Sequence, residues 1–248
     1  MLQNDNRAII RPRRGRNDPQ ICSTVVIAFT KEDWIFFKEI CGAGKYQIKE
    51  VNNAFILNGS YHGEAVTIAG PLVGAPHAIL MLEKLIALGA GVILAYGWCG
   101  SIHPSARIGD IVLPASAVSE EGTSKHYAVD QIKIGPGKNI TQHLLNFLPT
   151  KKITLHRGLV WTTDAPYRET VKKVLKYQEQ GVIAVDMETS ALLQVAAFRG
   201  IEMSVVLIVS DELFSLKWRH GFKSGKFNEN RRLISLAILD AVSTYQKL

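Results

Sequence analysis

Short apolar runs rich in β-branched residues alternate with segments of helical spacing along almost the whole chain. No apolar run reaches the roughly 20 residues that a membrane-spanning helix requires. Strands that alternate with helices favour a mixed, mostly parallel sheet whose two faces are both covered by helices. We therefore predict a single-domain, three-layer α/β sandwich, with its ligand site at the carboxyl ends of the strands.

The spacing of apolar residues and the positions of glycines give approximate bounds for these elements. Strands are predicted at residues 22–29, 46–57, 64–69, 91–96, 110–118, 153–162 and 203–209. Helices are predicted at residues 31–41, 75–88, 140–147, 167–180, 189–199 and 228–244. Two turns are also expected, one beginning at residues 58–60 and a glycine-rich one at residues 97–100.

The chain carries a formal net charge of +7, and much of it precedes the first strand. Five arginines lie there: Arg7, Arg11, Arg13, Arg14 and Arg16. A nucleic-acid arm and a solvated tail both remain open, but no aromatic residues interleave the arginines for base stacking, which favours the tail. We predict a basic, flexible tail at residues 1–20 and a catalytic domain at residues 21–248, with neither nucleic acid nor a membrane as partner.

The cysteines bear on the cellular compartment of the protein and on metal binding. The three cysteines, Cys22, Cys41 and Cys99, are odd in number and lack the spacing of metal ligands. A disulfide framework and a metal site are therefore not expected. The polar N-terminus lacks the apolar segment of a secretory signal, so we expect a cytoplasmic protein.

Three segments have compositions that suit chemistry at strand ends. Residues 185–192 open a helix with Glu188 in its first turn, where the helix dipole favours a carboxylate. Ser210 and Asp211 directly follow a predicted strand, and the glycine-rich residues 97–100 allow backbone amides to approach a ligand. Taken singly, each segment also fits an ordinary helix start, a helix cap or a tight turn.

Together, these segments and several others resemble the nucleoside phosphorylase and nucleosidase superfamily. The matching segments, in chain order, are residues 70–76, 97–102 and 109–112, Glu121-Gly122-Thr123-Ser124 with Tyr127, Thr163-Asp164 with Tyr167, Met187-Glu188, and Ser210-Asp211. The resemblance extends from about Thr24 to the last helix and implies cleavage of the N-glycosidic bond of a ribonucleoside.

The resemblance also implies roles for residues, and these suit an oxocarbenium-like transition state. Glu188 would accept hydrogen bonds from the 2′- and 3′-hydroxyls of the ribose, with Met187 against the sugar. A protonated Asp211, oriented by Ser210, would donate to a ring nitrogen of a leaving purine-like base. The remaining base-binding candidates are Thr163, Trp161, Tyr167, Trp98 and Arg168.

The nucleophile is where the sequence departs from the family's phosphorylases. Their phosphate-binding arginines align with Ala95, with Asn52 and with residues 29–34, and a Ser or Thr aligns with Trp98. An anion pocket would then depend on Gly97, Trp98 and Lys31. Nucleosidases instead place acidic residues after the first strand to activate water, and here Glu32 and Asp33 occupy that position. These two acids equally suit the first turn of a helix.

Three functions follow from the resemblance. They are a nucleosidase, a phosphorylase of purine or uridine type with an atypical phosphate site, and a binding protein without turnover. The missing arginines favour the nucleosidase, because a phosphate dianion needs several charge-assisted hydrogen bonds. No cofactor is expected, although a phosphorylase would use inorganic phosphate as co-substrate. We expect a small nucleoside as substrate and a homo-oligomer, dimer or hexamer, as the assembly.

Overall fold

A computed structural model of the chain describes residues 8–42, 47–127, 134–150 and 152–245. The strands are β1 (Thr24–Ala28), β2 (Gln47–Val51), β3 (Ala54–Tyr61), β4 (Glu64–Gly70), β5 (Val92–Ser101), β6 (Ile111–Ser119), β7 (Leu155–Thr162), β8 (Val182–Asp186), β9 (Glu202–Glu212) and β10 (Arg219–His220). The α-helices are α1 (Lys31–Cys41), α2 (Ala75–Ala87), α3 (Lys138–Leu145), α4 (Val171–Glu179), α5 (Thr189–Arg199) and α6 (Gly225–Tyr245).

All ten strands join one mixed sheet in the order β10-β9-β6-β7-β8-β5-β1-β4-β3-β2. The central strand β1 is parallel to both of its neighbours, β4 and β5. β9 also pairs with β5, so β5, β9, β6, β7 and β8 form a closed ring of strands. The expected α/β fold with a mixed sheet is confirmed. The closure of half of that sheet into a barrel was not predicted.

Two apolar cores lie on opposite faces of the sheet, as the alternation of side chains along β1 shows. Val25 and Ile27 pack in the core that contains α2 and α5, whereas Val26 and Ala28 pack in the core that contains α1 and α6. Successive strand residues point to opposite faces, so a continuous apolar run serves both cores. A third, smaller cluster packs α4 against β7 and β8.

Several strands and helices have bounds that differ from the predicted ones, because of the residues that form the turns. The predicted strand 46–57 is two strands, and the turn between them is Asn52-Asn53, both at positive φ (53° and 60°). Asn tolerates this left-handed conformation, so the turn falls there and not at residues 58–60, which lie within β3. Helix α4 begins at Val171, after a 3₁₀ turn at Pro166–Arg168, and β8 was not predicted.

Part of the basic N-terminal segment packs against the end of α2. Arg14 donates a hydrogen bond to the carbonyl of Leu88, which follows the helix. Lys84 donates to the carbonyl of Arg13 and pairs with Asp18 at 2.5 Å. These contacts connect the described part of the segment to the domain.

Within the described ranges, no helix is long and apolar enough to cross a membrane.

Candidate active site

A cavity of about 800 Å³ opens where the carboxyl ends of β1, β5 and β9 meet the start of α5. Its wall combines apolar side chains with a few carboxylates. The lining includes Phe29, Lys31, Glu32, Trp98, Tyr167, Glu169, Asp186, Met187, Glu188, Ser210, Asp211, Trp218 and Phe222. Apolar walls with few convergent polar groups are typical of a small-molecule site.

Glu188 is a buried carboxylate at the start of α5, with 5% of its surface exposed. The backbone N–H of Gly74, which lies in the loop between β4 and α2, donates to its Oε1 at 2.6 Å. Burial and the charge of the neighbouring Asp186 together raise the pKa of Glu188 to about 8. The carboxyl is therefore held in place, yet it pays a desolvation cost whenever it is charged.

Asp186, the last residue of β8, fixes the backbone that carries Glu188. Its Oδ2 accepts from the backbone N–H of Glu188 at 3.3 Å and of Thr189 at 2.8 Å, and from the Thr189 hydroxyl at 2.5 Å. Thr162, at the end of β7, donates its hydroxyl to Oδ1 at 2.7 Å. Asp186 thus caps the first turn of α5 and connects it to two strands.

Asp211 lies near the end of β9, and hydrogen-bond donors reach both of its carboxylate oxygens. The Ser210 hydroxyl donates to Oδ1 at 2.6 Å, and the Trp218 indole N–H donates to Oδ2 at 2.9 Å. Burial raises the pKa of Asp211 above its ordinary value, although both hydrogen bonds and nearby His220 partly offset the rise. The carboxyl is therefore oriented by two neighbours while its burial favours the neutral form.

Trp98, on β5, forms one wall of the cavity and separates it from a buried ion pair. Its indole N–H donates to Oδ2 of Asp33 at 2.8 Å, and the Arg231 guanidinium lies 5.7 Å from the centre of its ring. The ring also stacks on Phe222, with centroids 5.9 Å apart. Behind it, Arg231 Nε approaches Oδ1 of Asp33 at 3.6 Å.

The start of α1 contributes the charged residues at the cavity mouth. Thr30 caps the helix, because its hydroxyl accepts from the Asp33 backbone N–H. Lys31 and Glu32 follow in the first turn, and both are exposed and line the cavity. Among the lining residues that the structure describes, Lys31 is the only lysine or arginine.

The sequence comparison decides the family. The family model described as "Phosphorylase superfamily" matches residues 26–242, which is most of the chain. The chain belongs to the phosphorylase superfamily. It is an enzyme of that superfamily, as the sequence motifs predicted.

Curated relatives in the superfamily are phosphorylases by name. A guanosine phosphorylase of Halorubrum lacusprofundi is 28% identical over 158 residues, which cover 64% of this chain and 66% of the relative. A DeoD-type purine nucleoside phosphorylase of Bacillus cytotoxicus is 29% identical over 160 residues, covering 63% and 68%. The chain thus matches about two thirds of the length of these relatives.

Solved structures share the superfamily fold. Purine nucleoside phosphorylase of Toxoplasma gondii, in complex with immucillin-H, superposes with a TM-score of 0.81 at 21% identity, covering 92% of this chain and 93% of that one. Uridine phosphorylase of Vibrio fischeri gives 0.80 at 22% identity, covering 91% and 93%. At 21% and 22% sequence identity, these similarities show a shared fold only.

Most of the residues predicted for the site from the superfamily resemblance do meet at the cavity. Both ribose candidates, Met187 and Glu188, line it, as do Asp211 and Ser210 at the end of β9. So do Trp98, Tyr167, Lys31 and Glu32. Tyr167 is fully exposed at the mouth. Strand ends and helix starts bring these side chains together from distant parts of the sequence.

Three predicted base-binding residues lie elsewhere. Trp161 is fully buried, stacks on Tyr177 at 4.3 Å and donates to Glu120, because its position on β7 faces the α4 layer. Thr163 is buried and accepts from the backbone N–H of Ala165. Arg168 is exposed in the 3₁₀ turn and does not line the cavity.

Two residues predicted for the nucleophile side also lie behind the wall. Asp33 is fully buried under Trp98 and is absent from the lining, so the cavity does not reach the predicted water-activating base. Gly97 packs against Phe29, and a Cβ at this position would come within 2.1 Å of the Phe29 ring. This glycine permits close packing of β5 against the end of β1, and it does not form a turn.

Several lining residues were missed from the sequence, above all Glu169, Trp218 and Phe222. Glu169 follows the 3₁₀ turn, whereas the sequence placed it inside a helix. Trp218 and Phe222 belong to an aromatic segment after β9 that carries no motif of its own. Its one signal is the density of aromatic residues just beyond a strand end.

In the ranges that the structure describes, no group of three or more His, Cys, Asp or Glu side chains could hold a metal ion.

Proposed function

We propose that this enzyme cleaves the N-glycosidic bond of a purine ribonucleoside by phosphorolysis, with inorganic phosphate as co-substrate. The observation that carries the proposal is the placement of Glu188 and Asp211 in one apolar cavity. One carboxyl suits the two hydroxyls of a ribose, and the other suits a base whose ring nitrogen must be protonated as it leaves. The names of the relatives, guanosine and purine nucleoside phosphorylase, support the same reaction.

In this proposal the ribose binds beside Met187 with its 2′- and 3′-hydroxyls donating to Glu188. The hydrogen bond from Gly74 and the capping by Asp186 support a fixed carboxylate there. Two charge-assisted hydrogen bonds in a site with little water contribute most to binding, because the hydroxyls have no competing partner. The base then extends toward Asp211 and the aromatic residues Trp218 and Phe222.

The reaction type departs from the interpretation that the sequence favoured. The hydrolytic interpretation rested on the missing arginines and on Asp33 as the base that activates water. The cavity does not reach Asp33, and the relatives are phosphorylases by name. For phosphate, we propose the first turn of α1, where Lys31 supplies a cation and the helix N-terminus supplies a partial positive charge. This is a sparse anion site, so the affinity for phosphate should be low.

The decisive experiment is a panel of purine and pyrimidine ribonucleosides incubated with and without phosphate. We expect release of purine bases only with phosphate, and ribose 1-phosphate as the sugar product. Release of free ribose in phosphate-free buffer would instead establish hydrolysis, and Glu32, which lines the mouth, would be the acid to examine. Release of uracil in preference to purines would contradict the base assignment.

A pair of variants tests the phosphate site. Lys31→Gln removes one charge-assisted contact worth about 1.5–3 kcal/mol, so the KM for phosphate should rise by roughly 10- to 150-fold. The KM for the nucleoside should change little. Lys172→Gln, an exposed lysine on α4, serves as the control for loss of one positive charge. Equal effects of the two variants would exclude Lys31 from the anion site.

A further inference from the structure

The Glu-Gly-Thr-Ser segment at residues 121–124 belongs to the superfamily resemblance but does not line the cavity. It follows β6 and packs against α5, the helix that begins beside the ribose carboxylate Glu188. Its first residue, Glu121, is buried, with 6% of its surface exposed. Within the described ranges no ion pair includes Glu121, so hydrogen bonds alone offset the cost of burying its charge.

Those hydrogen bonds come from the loop after β6 and from α5. The Ser119 hydroxyl donates to Oε1 of Glu121 at 2.6 Å. The backbone N–H groups of Thr123 and Ser124 donate to Oε2 at 2.5 Å and 3.1 Å. The Ser190 hydroxyl, in the first turn of α5, donates to Oε1 at 3.0 Å, because a carboxylate can only accept. Although burial raises the pKa of Glu121, these donors hold it below its ordinary value, so the group is a carboxylate.

The backbone of Ser190 connects the same turn to the residues around Glu188. Its N–H donates to the Thr162 hydroxyl oxygen at 2.9 Å, and that hydroxyl in turn donates to Asp186. Asp186 also accepts from the backbone N–H of Glu188. Ser190 is therefore held through its side chain by one carboxylate and through its backbone by a chain of hydrogen bonds from another. A shift of Ser190 moves the turn that Glu188 begins.

The loop after β6 contacts α5 along the rest of its length as well. The Tyr127 carbonyl accepts from the Gln194 side chain, and the Tyr127 ring meets Phe198 edge-on, with centroids 5.4 Å apart. Residues 190, 194 and 198 are each four apart, so they lie along one side of the helix. The loop thus supports one side of α5 from its first turn to its last, and Glu121 makes the contact nearest the cavity.

We propose that Glu121 is a positioning residue that acts through Ser190 on Glu188. The inference rests on the proposed contact between Glu188 and the ribose hydroxyls. A carboxylate that meets two hydroxyls at once depends on the backbone that carries it, because a misplacement of roughly 1 Å can cost about 100-fold in rate. Glu121 does not touch the substrate in this proposal, and its contribution is the fixed orientation of the first turn of α5.

The test is the loss of kcat/KM in Ser190→Ala, measured at saturating phosphate for inosine and for 2′,3′-dideoxyinosine. Alanine favours a helix, so the variant should fold, and it lacks the hydroxyl that bonds to Glu121. Inosine should lose about tenfold, because its ribose hydroxyls meet a displaced Glu188. 2′,3′-Dideoxyinosine has neither hydroxyl, so its loss should stay within about threefold.

A double-mutant cycle separates positioning from a general loss of structure. In a Glu188→Gln background, Ser190→Ala should lower kcat/KM for inosine by no more than about twofold, because the contact through which Ser190 acts is already weakened. Ser243→Ala is the matched control and should behave as wild type, since Ser243 is a buried serine of α6 that donates to the Asp240 carbonyl. An unchanged kcat/KM for inosine, equal losses for the two nucleosides, or a full loss in the Glu188→Gln background would overturn the proposal.

Glu121→Gln tests the carboxylate itself. The amide nitrogen cannot accept, so at least one of the donors around position 121 loses its acceptor. The loss for inosine should again exceed the loss for 2′,3′-dideoxyinosine, and equal losses would contradict the role of Glu121. Wild-type enzyme that cleaves no purine nucleoside would refute the proposed function, and this inference with it. Wild-type enzyme that prefers inosine, together with variants that keep the full preference, would overturn the positioning role alone.

Discussion

Replacing Glu188 by glutamine tests the ribose contact most directly, because the change keeps the shape of the side chain and removes its charge. Two hydrogen bonds from ribose hydroxyls to a carboxylate contribute about 3–6 kcal/mol in total, at about 1.5–3 kcal/mol each. At pH 7 the free carboxyl, with a pKa of about 8, must first lose its proton, which costs about 1.4 kcal/mol. The net loss is therefore roughly 2–5 kcal/mol, and kcat/KM should fall by about two orders of magnitude.

The pH dependence of that loss gives a signature that a merely structural effect lacks. Above pH 8 the wild-type carboxyl is already charged and the cost of ionising it disappears, whereas glutamine does not titrate. The ratio of wild-type to Glu188→Gln kcat/KM should therefore grow by up to about tenfold between pH 7 and pH 9. Titrating groups away from position 188 are common to both enzymes and cancel in the ratio.

The assay is release of the purine base, followed at pH 6, 7 and 9 with saturating phosphate. Glu229→Gln, an exposed residue of α6, controls for the loss of one negative charge. Thermal unfolding confirms that the variant folds, and it carries its own expectation. A raised carboxyl pKa means that wild type loses stability as pH rises from about 4.5 to 8, so the variant should gain relative stability over that range. Activity within threefold of wild type, or a ratio that is flat with pH, would refute the role of Glu188.

Two further variants probe carboxyls at the cavity wall and behind it. Asp211→Asn removes the carboxyl that we propose to protonate the leaving base, so base release from inosine should fall about 10- to 100-fold at pH 7.5. The loss should be much smaller with 7-methylguanosine, whose leaving group already carries a positive charge; equal losses with both substrates would refute this role. Asp33→Asn should gain stability relative to wild type as pH rises, because the pKa of Asp33 is raised from 3.8 to about 6, mainly by burial, and ionising it above pH 6 costs wild type up to about 3 kcal/mol. That gain should appear as pH rises from 4 to 6, and chemical denaturation at pH 4 and pH 7 measures it; the same difference at both pH values would exclude titration of Asp33 as its source.

How far the sequence predicts this site is clearest along β5. The glycines at positions 97 and 100 suggested a tight turn, but both lie within the strand. A side chain at Gly97 would collide with the Phe29 ring, and one at Gly100 would meet Leu213 at 2.6 Å. Glycine here serves close packing between strand ends, and a single sequence cannot distinguish this need from that of a turn, since both require the absence of Cβ.

The direction in which a side chain points was the second feature that the sequence did not predict. Helix α1 and helix α5 were predicted with their observed bounds, and so Glu32 and Glu188 were placed correctly at helix starts. Trp161 was assigned to the base as an aromatic ring that could stack on it, yet its side chain packs against Tyr177 of α4. Alternation fixes which strand residues share a face, but which face meets the ligand depends on closure of the strands into a ring.

Trp98 gives a physical reason why the anion site that we propose is sparse. The indole lies between the cavity and Arg231, and Asp33 balances the charge of that arginine. By the superfamily resemblance, a Ser or Thr would stand at this position and would leave the cavity open toward the cation. We therefore propose that Trp98 replaces part of a phosphate site with an aromatic wall that continues through Phe222.

Trp98→Ser should open the cavity toward Arg231 and strengthen phosphate binding. Removing the indole opens the wall toward Arg231, so the KM for phosphate should fall by about tenfold, equivalent to roughly 1.4 kcal/mol of added attraction. Stability should fall as well, because a large, partly buried aromatic side chain is lost. Trp98→Phe keeps the wall closed while removing the indole N–H, so its KM for phosphate should stay near the wild-type value. The double variant Trp98→Ser with Arg231→Met should lose the gain. A KM for phosphate that is unchanged in Trp98→Ser, or a gain that survives without Arg231, would show that the indole does not keep this arginine from the cavity.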